Sequence, residues 1–345
     1  MNSKNAIGSR PNPTCVVCGA PGDVLYAGLR DRLFSAPGEW NIKRCSNTSC
    51  GLLWLDPMPL ESEVWKAYEN YYTHSDSAKN RPAWFSAILI GAKRGYLARR
   101  YGYYPGLPFS DRLLGLLPNI YPGRSSELDL SVMWLPASRR GRLLDIGSGS
   151  GWLVGNLNAG GWQAEGLDFD SRAVEQARRR GLKVHLGDLA SQRFADRSFD
   201  AVTMCHSIEH VHAPMLWLEE CIRILRPGGC LVVATPNNAS LGHRVFGGDW
   251  LALDPPRHLH LFNMATLRRL LEQAGFSRIR VFTSPRDANG VYLASRSIGR
   301  IGRFDMIAPQ SMSARLAGRV AQLGELVAHR FRPALGEDLI AIAEK

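Results

Sequence analysis

Lysine is scarce in this chain: of 42 basic residues only seven are lysine, at positions 4, 43, 66, 79, 93, 183 and 345, and the rest are arginine. Long apolar runs are absent. The nearest to a membrane composition, Trp84 to Ala92, stops at Lys93 and Arg94, far short of the ~20 residues that cross a bilayer. Residues Met1 to Pro13 hold no apolar core of signal-peptide length, so export is not expected and a cytoplasmic location is. Internal repeats, low-complexity tracts and blocks of like charge are missing as well. Acidic residues number 31, leaving a net charge of +11. Because the basic residues are scattered, the excess reads first as an arginine-favouring surface, and second as an attraction for phosphates, acidic sugars, nucleic acid or anionic lipid. Seven cysteines, an odd number with four in the first fifty residues, argue against a disulfide framework. A length of 345 residues with 45% hydrophobic content excludes a disordered or fibrous chain and allows one α/β domain with small additions.

Three textures follow one another. Residues 1–60 carry four cysteines, turn residues and short apolar runs such as Leu52-Leu53-Trp54, which suit a small β-rich unit. Residues 61–135 are aromatic and helical in pattern, broken at Pro82, Pro105, Pro108, Pro118 and Pro122. Residues 136–345 alternate strand and helix, the pattern of a parallel sheet with helices on its faces. Strands are expected at 143–146, 164–168, 183–186, 201–205, 230–235, 278–283 and 338–343. Ser171 is expected to cap a helix to Arg180, and Asn263 to open another. The stretch 237–260 reads as a long functional loop, and 286–335 as an insertion with a helix from Met312 to Arg330.

The chemistry begins at Asp145-Ile146-Gly147-Ser148-Gly149-Ser150-Gly151, the first strand-to-helix turn. Glycines there let backbone approach a ligand that side chains would exclude. A dinucleotide turn places its last glycine at 152, where this chain has Trp. The G-x-G-x-G spacing with Asp145 before it instead suits a cofactor without a pyrophosphate, and an acidic residue suits a cationic aminoacyl sulfonium. Asp168 ends the second strand, where a carboxylate accepts both hydroxyls of a ribose. After the third strand, Asp188 is placed to accept from an adenine amino group and Leu189 to pack on the ring. Each aspartate alone is more often a turn former or helix cap; three at the carboxyl ends of consecutive strands converge on one crevice.

With Ser198-Phe199-Asp200-Ala201-Val202, Glu209-His210-Val211, Leu225-Arg226-Pro227-Gly228-Gly229 and Gly275-Phe276, residues 136–285 and the terminal strand resemble the class I S-adenosylmethionine-dependent methyltransferases. The resemblance implies an α/β Rossmann-like sheet of seven strands, the last antiparallel and inserted between neighbours. It also implies that Asp145, Gly147, Ser148, Gly149 and Gly151 hug the cofactor, that Asp168 with Phe169 takes its ribose, and that Asp188 and Leu189 take its adenine. Cys205 and His206 would meet its amino-acid end.

Cys15-x-x-Cys18 and Cys45-x-x-x-x-Cys50, each followed by glycine, form two knuckles able to offer four thiolates to a tetrahedral zinc ion. The second has four residues between its cysteines where two are usual; free thiols or a redox pair are the alternative. Four filled positions favour a structural role. The arrangement resembles a methyltransferase subgroup with a zinc-ribbon-like head, often acting on sugars or on polysaccharide and natural-product intermediates. Cys205, Cys221 and Cys230 read as core residues.

Methyl transfer from a sulfonium needs alignment and, for a hydroxyl, removal of a proton. His210, His258 and His260 are the candidate catalytic groups, with His206 and Glu209 nearby; Arg257 is a candidate anion ligand, and Trp152 and Trp250 candidate pocket walls. The favoured acceptor is a sugar, glycan or other small hydroxylated intermediate. The alternatives are sugar C- or N-methylation, an RNA methyltransferase gripping nucleic acid through the zinc head, a non-catalytic zinc-ribbon protein, and peripheral membrane contact through Trp84 to Tyr101.

Overall fold

The computed structural model describes residues 6–69, 82–120, 123–306 and 308–345; Pro122, one of the expected helix breaks, lies outside them. The chain starts with short strands. β1 (Ser9–Arg10) and β5 (Met58–Pro59) pair antiparallel, and between them β2 (Gly22–Leu29), β3 (Trp40–Cys45) and β4 (Leu53–Leu55) form an antiparallel meander. Three helices follow: α1 (Ala83–Tyr101), α2 (Phe109–Leu114) and α3 (Arg124–Leu130). Pro108 opens α2, and α1 lies so near it that a Cβ on Gly95 would sit 1.9 Å from the Asp111 carbonyl oxygen.

The remainder alternates as the pattern requires: β6 (Arg142–Ile146), α4 (Trp152–Ala159), β7 (Gln163–Asp168), α5 (Ser171–Arg179), β8 (Val184–Leu186), β9 (Phe199–Cys205), α6 (Pro214–Ile224), β10 (Leu225–Pro236) and α7 (Leu241–Phe246). Then come β11 (His260–Leu261), α8 (Met264–Gln273), β12 (Ser277–Ser284), α9 (Ala288–Ile301), α10 (Met312–Phe331) and β13 (Asp338–Glu344). The seven-stranded sheet has the order β12-β13-β10-β9-β6-β7-β8. β13 runs antiparallel between β10 and β12, whereas β10, β9, β6, β7 and β8 are parallel. Leu231, Val232, Val233 and Ala234 in β10 are all fully buried, the continuous apolar run of a strand covered on both faces.

Local departures from the sequence reading have physical causes. The helix α5 is capped by Asp170, not Ser171: the Asp170 carboxylate accepts from the Arg172 N–H at 2.9 Å. Pro227-Gly228-Gly229 lies inside β10 as a register shift against β9, not before the strand. The insertion contains α9 as well as the expected α10. The stretch read as a loop from 237 holds α7, two 3-10 turns and β11.

β11 is the element that joins the two ends of the chain. It pairs with β4, giving a second sheet of order β11-β4-β3-β2. Cys15, Cys45, Cys50, Leu52 and Trp54 share one apolar core with Leu144, Val202, Leu231, Phe262 and Leu267. Arg257, fully buried, closes the junction. Its guanidinium donates to both carboxylate oxygens of Asp31 at 2.8 Å, to both oxygens of Asp254, and to the Ala67 carbonyl at 3.0 Å.

Candidate active site and cysteine centre

β6 delivers the glycine turn to the carboxyl edge of the sheet. Gly147, Gly149 and Gly151 have φ of +75°, +51° and +81°, the left-handed region where a side chain is strained. Their surroundings differ. A Cβ on Gly147 would lie 2.6 Å from Cβ of Ser207, and one on Gly151 2.5 Å from Leu182, whereas one on Gly149 meets nothing within 4 Å. Gly149 therefore faces an open cradle. Asp168, at the end of β7, reaches across it: one carboxylate oxygen accepts from the Gly149 N–H at 2.7 Å, the other from the Asp170 N–H at 2.9 Å. The buried hydroxyls of Ser148 and Ser207 have no hydrogen-bond partner. Beneath, Asp145 accepts from the Thr203 hydroxyl at 2.7 Å. Burial, helped by the charge of Asp168 and opposed by Thr203, pushes its carboxyl up to about 7. The cradle, its aspartate and its unpaired hydroxyls fit an adenosyl ligand with polar groups on one edge.

The third strand end contributes less. Asp188 is exposed and accepts from the Ser191 N–H at 2.8 Å, while Leu189 packs in the main core. Phe169, half exposed, meets the ring of Tyr68 edge-on at 5.3 Å. Tyr68 is a residue that the sequence reading missed; its local context, Trp65-Lys66-Ala67-Tyr68, carries no signal of its position beside a distant strand end.

After β9 the chain turns at His206, φ +52°. The Cys205 thiol is raised by burial and neighbouring carboxylates. His206 Nε2 accepts from Arg286 at 2.9 Å, and its Nδ1 lies 3.4 Å from Glu209. Arg286 in turn pairs with Asp338 at 2.5 Å. Burial disfavours the Glu209 carboxylate, but His206 and the other imidazoles outweigh it and hold this group at about 2.

The three candidate histidines gather along one segment. The Leu259 N–H donates to the Glu209 carbonyl at 2.8 Å, so residues 258–261 run beside 209–211. The rings of His210 and His258 face each other at 4.8 Å. His210 Nδ1 lies 2.9 Å from the Arg257 carbonyl and 3.0 Å from the Tyr68 hydroxyl; His258 Nδ1 lies 2.7 Å from the Ala252 carbonyl. His260, buried in β11, has Nδ1 3.2 Å from the Val211 carbonyl. Burial lowers both His210, with repulsion from His258, and His260 to about 4. Two expectations are corrected. Arg257 has its guanidinium N–H edges committed to Asp31 and Asp254, so it is a structural clamp, not an anion ligand. Trp250 is core: it is buried, stacks on His243 and donates to Glu337 at 3.1 Å. Trp152 stands half exposed at the start of α4.

The four N-terminal cysteines converge. Their sulfurs lie within 4.8 Å of one another, with Cys15 to Cys50 at 3.7 Å and Cys18 to Cys45 at 3.4 Å. Bonds of ~2.3 Å to a tetrahedral ion imply a sulfur separation of about 3.8 Å. Backbone N–H groups of Val17 and Cys18 point at Cys15, that of Ala20 at Cys18 and that of Leu52 at Cys50, the support that thiolates require. The four-residue spacing is absorbed by a turn in which the Asn47 side chain accepts from the Ser49 N–H at 3.0 Å. Residues on the methyltransferase-like side hold the knuckles: Asn263 donates to the Cys50 carbonyl at 3.0 Å and Gln273 to that of Val17 at 3.2 Å. The donor set fits a structural zinc ion.

Comparison with known proteins gives the family. A family model described as a methyltransferase domain matches residues 125–281. A probable S-adenosylmethionine-dependent methyltransferase of Mycolicibacterium smegmatis is 35% identical over 136 residues, 39% of this chain and 51% of that protein. A demethylmenaquinone methyltransferase of Mycobacterium sp. (strain KMS) is 31% identical over 160 residues, 40% of this chain and 69% of that protein. Among solved structures, phosphoethanolamine N-methyltransferase 2 of Haemonchus contortus in complex with S-adenosyl-L-methionine gives a TM-score of 0.46 at 17% identity, over 85% of this chain and 62% of that one. The chain spans about half the length of the first of these relatives. No helix among the described residues is long and apolar enough to cross a membrane. The chain belongs to the S-adenosylmethionine-dependent methyltransferase family.

Proposed function

We propose that this enzyme methylates a hydroxyl of a small acceptor, with S-adenosylmethionine lying across the Gly149 cradle. The observation that carries the reading is the Asp168 carboxylate held against the one glycine of the turn that faces open space. In this reading Gly147, Gly149 and Gly151 take the aminoacyl and adenosyl backbone, Asp168 and Phe169 the ribose, and Asp188 the adenine side, while Leu189, expected on the ring, lies in the core beneath. Asp145, Ser148, Cys205 and His206 surround the aminoacyl end. The acceptor enters between the cradle and the imidazole pair His210 and His258, whose unprotonated nitrogens face its hydroxyl, and His260 fixes the segment that carries His258. Burial keeps the His210 ring neutral at pH 7, which leaves a lone pair free to meet the acceptor.

The proteins to which this chain is similar include quinone-pathway methyltransferases, so the acceptor class extends from sugars and glycans to hydroxylated aromatic or lipid-like molecules. RNA is the weaker reading, since no aromatic-basic stacking run supports it. Cys15, Cys18, Cys45 and Cys50 hold zinc in a structural role. A specific observation favours peripheral contact with an anionic membrane: α10 leaves Met312, Leu316, Val320, Leu323, Val327 and Phe331 exposed on a helix that also carries Arg315, Arg319 and Arg330.

The test is calorimetric. S-adenosylhomocysteine should bind the wild type, and Asp168→Ala should weaken binding about 30- to 100-fold, the loss of charge-assisted hydrogen bonds worth ~2–3 kcal/mol. Equal affinity in both proteins would remove the reading.

A further inference from the structure

Beyond the cysteine centre, a second group of potential ligands stands at the rim of the crevice. Glu209, His210 and His258 each place one ligating atom within 4.8 Å of the other two. We propose that these three residues bind one divalent first-row transition ion, which takes the acceptor's oxygen as a further ligand; the acceptor role rests on the methyl-transfer reading above.

The hydrogen bonds fix which nitrogens are available. A carbonyl oxygen only accepts, so His210 Nδ1, 2.9 Å from the Arg257 carbonyl, carries the ring proton. The same holds for His258 Nδ1, 2.7 Å from the Ala252 carbonyl. Both rings therefore keep the lone pair on Nε2. Metal-bound histidines are almost always held in this way, the far N–H anchored to a carbonyl or carboxylate.

The carboxylate is prepared in the same sense. Glu209 is fully buried, and Thr235 donates to one oxygen at 2.9 Å. The other oxygen is buried with one polar neighbour, the His206 Nδ1–H at 3.4 Å, too distant for a strong hydrogen bond. A buried charged oxygen held by a single long contact is under-satisfied, and a cation would complete its partners. Two imidazoles and one carboxylate suit a site with three protein ligands and open positions, the arrangement of catalytic zinc and of non-haem iron centres.

Location gives the ion a use. The segment bearing Glu209 abuts the glycine turn, since Ser207 blocks any Cβ on Gly147. Tyr68 bridges His210 to Phe169, the neighbour of Asp168. The His258 side chain keeps 11% of its surface exposed, which gives an entering ion a narrow path. A hydroxyl bound to such an ion ionises near neutral pH, releasing its proton to water. Its oxygen lone pair then forms the new bond to the methyl carbon as the sulfur–methyl bond breaks and sulfur keeps that electron pair. Open coordination positions select acceptors with two adjacent oxygens over single alcohols.

Zinc titration of the full chain tests this, with bound metal counted after gel filtration. Wild type should hold one ion per chain more than His258→Ala and one more than Glu209→Gln, whatever the cysteine centre contains. It should also show a zinc-induced rise in melting temperature that both variants lose. Equal metal content in wild type and folded His258→Ala would overturn the proposal. Should Glu209→Gln fail to fold, His258→Ala and the closer-sized His258→Gln decide. S-adenosylhomocysteine binding is measured on the same samples: if it persists while the extra ion is absent, the metal site fails and the methyl-transfer reading stands.

Discussion

The glycine turn and the cysteine head lie in one molecule but are built by opposite means. The turn is local: within seven residues β6 ends, three glycines enter left-handed conformations, and one aspartate from the next strand closes the cradle. The head is assembled over distance. Its sheet is completed by β11, some two hundred residues downstream, its knuckles are gripped by Asn263 and Gln273, and its Asp31 is locked by Arg257. A ligand site that must meet a common cofactor is set by backbone. The head is set by which distant segments the fold brings together.

That contrast is open to attack, and the largest effect belongs to the head. Cys45→Ser should abolish the stoichiometric zinc and cost of order 5 kcal/mol, since metal binding in such centres is folding free energy. Metal analysis and thermal melts check it; retained zinc with an unchanged melt would show that the thiolates hold nothing. Next is Arg257→Met. It leaves Asp31 and Asp254 buried without their cation, so a loss of ~3–5 kcal/mol is expected by denaturant titration, and the head should become protease-sensitive before the large sheet does.

Within the turn the glycines should separate. Gly147→Ala brings a Cβ 2.6 Å from Ser207, whereas Gly149→Ala meets no neighbour and carries only the left-handed strain of ~1–2 kcal/mol. Melts should rank Gly147→Ala as the less stable protein, while S-adenosylhomocysteine affinity falls in Gly149→Ala although its fold persists. The reverse ranking would detach the turn's geometry from its proposed task.

The smallest effect is a pH dependence. Glu325 and Glu337 are both buried; burial with repulsion from Glu337 raises the first to about 9, and burial with the charge of Asp338 raises the second to about 7. Groups raised above their unfolded value contribute stability that is complete at low pH, below about 4.5, and is lost as pH climbs through 7 to 9. Glu325→Gln should flatten that alkaline decline in melting temperature; an unchanged slope would place its origin elsewhere.

Much of the sheet was legible because its information is local. Alternation of apolar runs with helical periods marked all seven strands, and the Asn263 cap was visible as a residue type before an apolar stripe. The spacing of Gly147, Gly149, Gly151 and Asp168 likewise marked the cradle. What remained hidden depends on contact at long range. Nothing in Arg257's neighbours tells that two carboxylates, one from residue 31, will consume it, and Trp250 reads equally as wall or core until Glu337 and His243 are seen around it. Tyr68 reaches His210 only because β1 to β5 and the strands of the large sheet share a core. The pairing of His210 with His258 was half visible: both residue types were marked, but not their mutual distance nor the carbonyls that orient them.

The most direct measurement is a crystal structure of the enzyme grown with S-adenosylhomocysteine. The expected density places the ribose hydroxyls against the carboxylate at the end of β7 and the ligand's backbone over Gly149, with its sulfur directed toward His210 and His258. Ligand density elsewhere, or a cradle closed over by protein at saturating ligand, would contradict it.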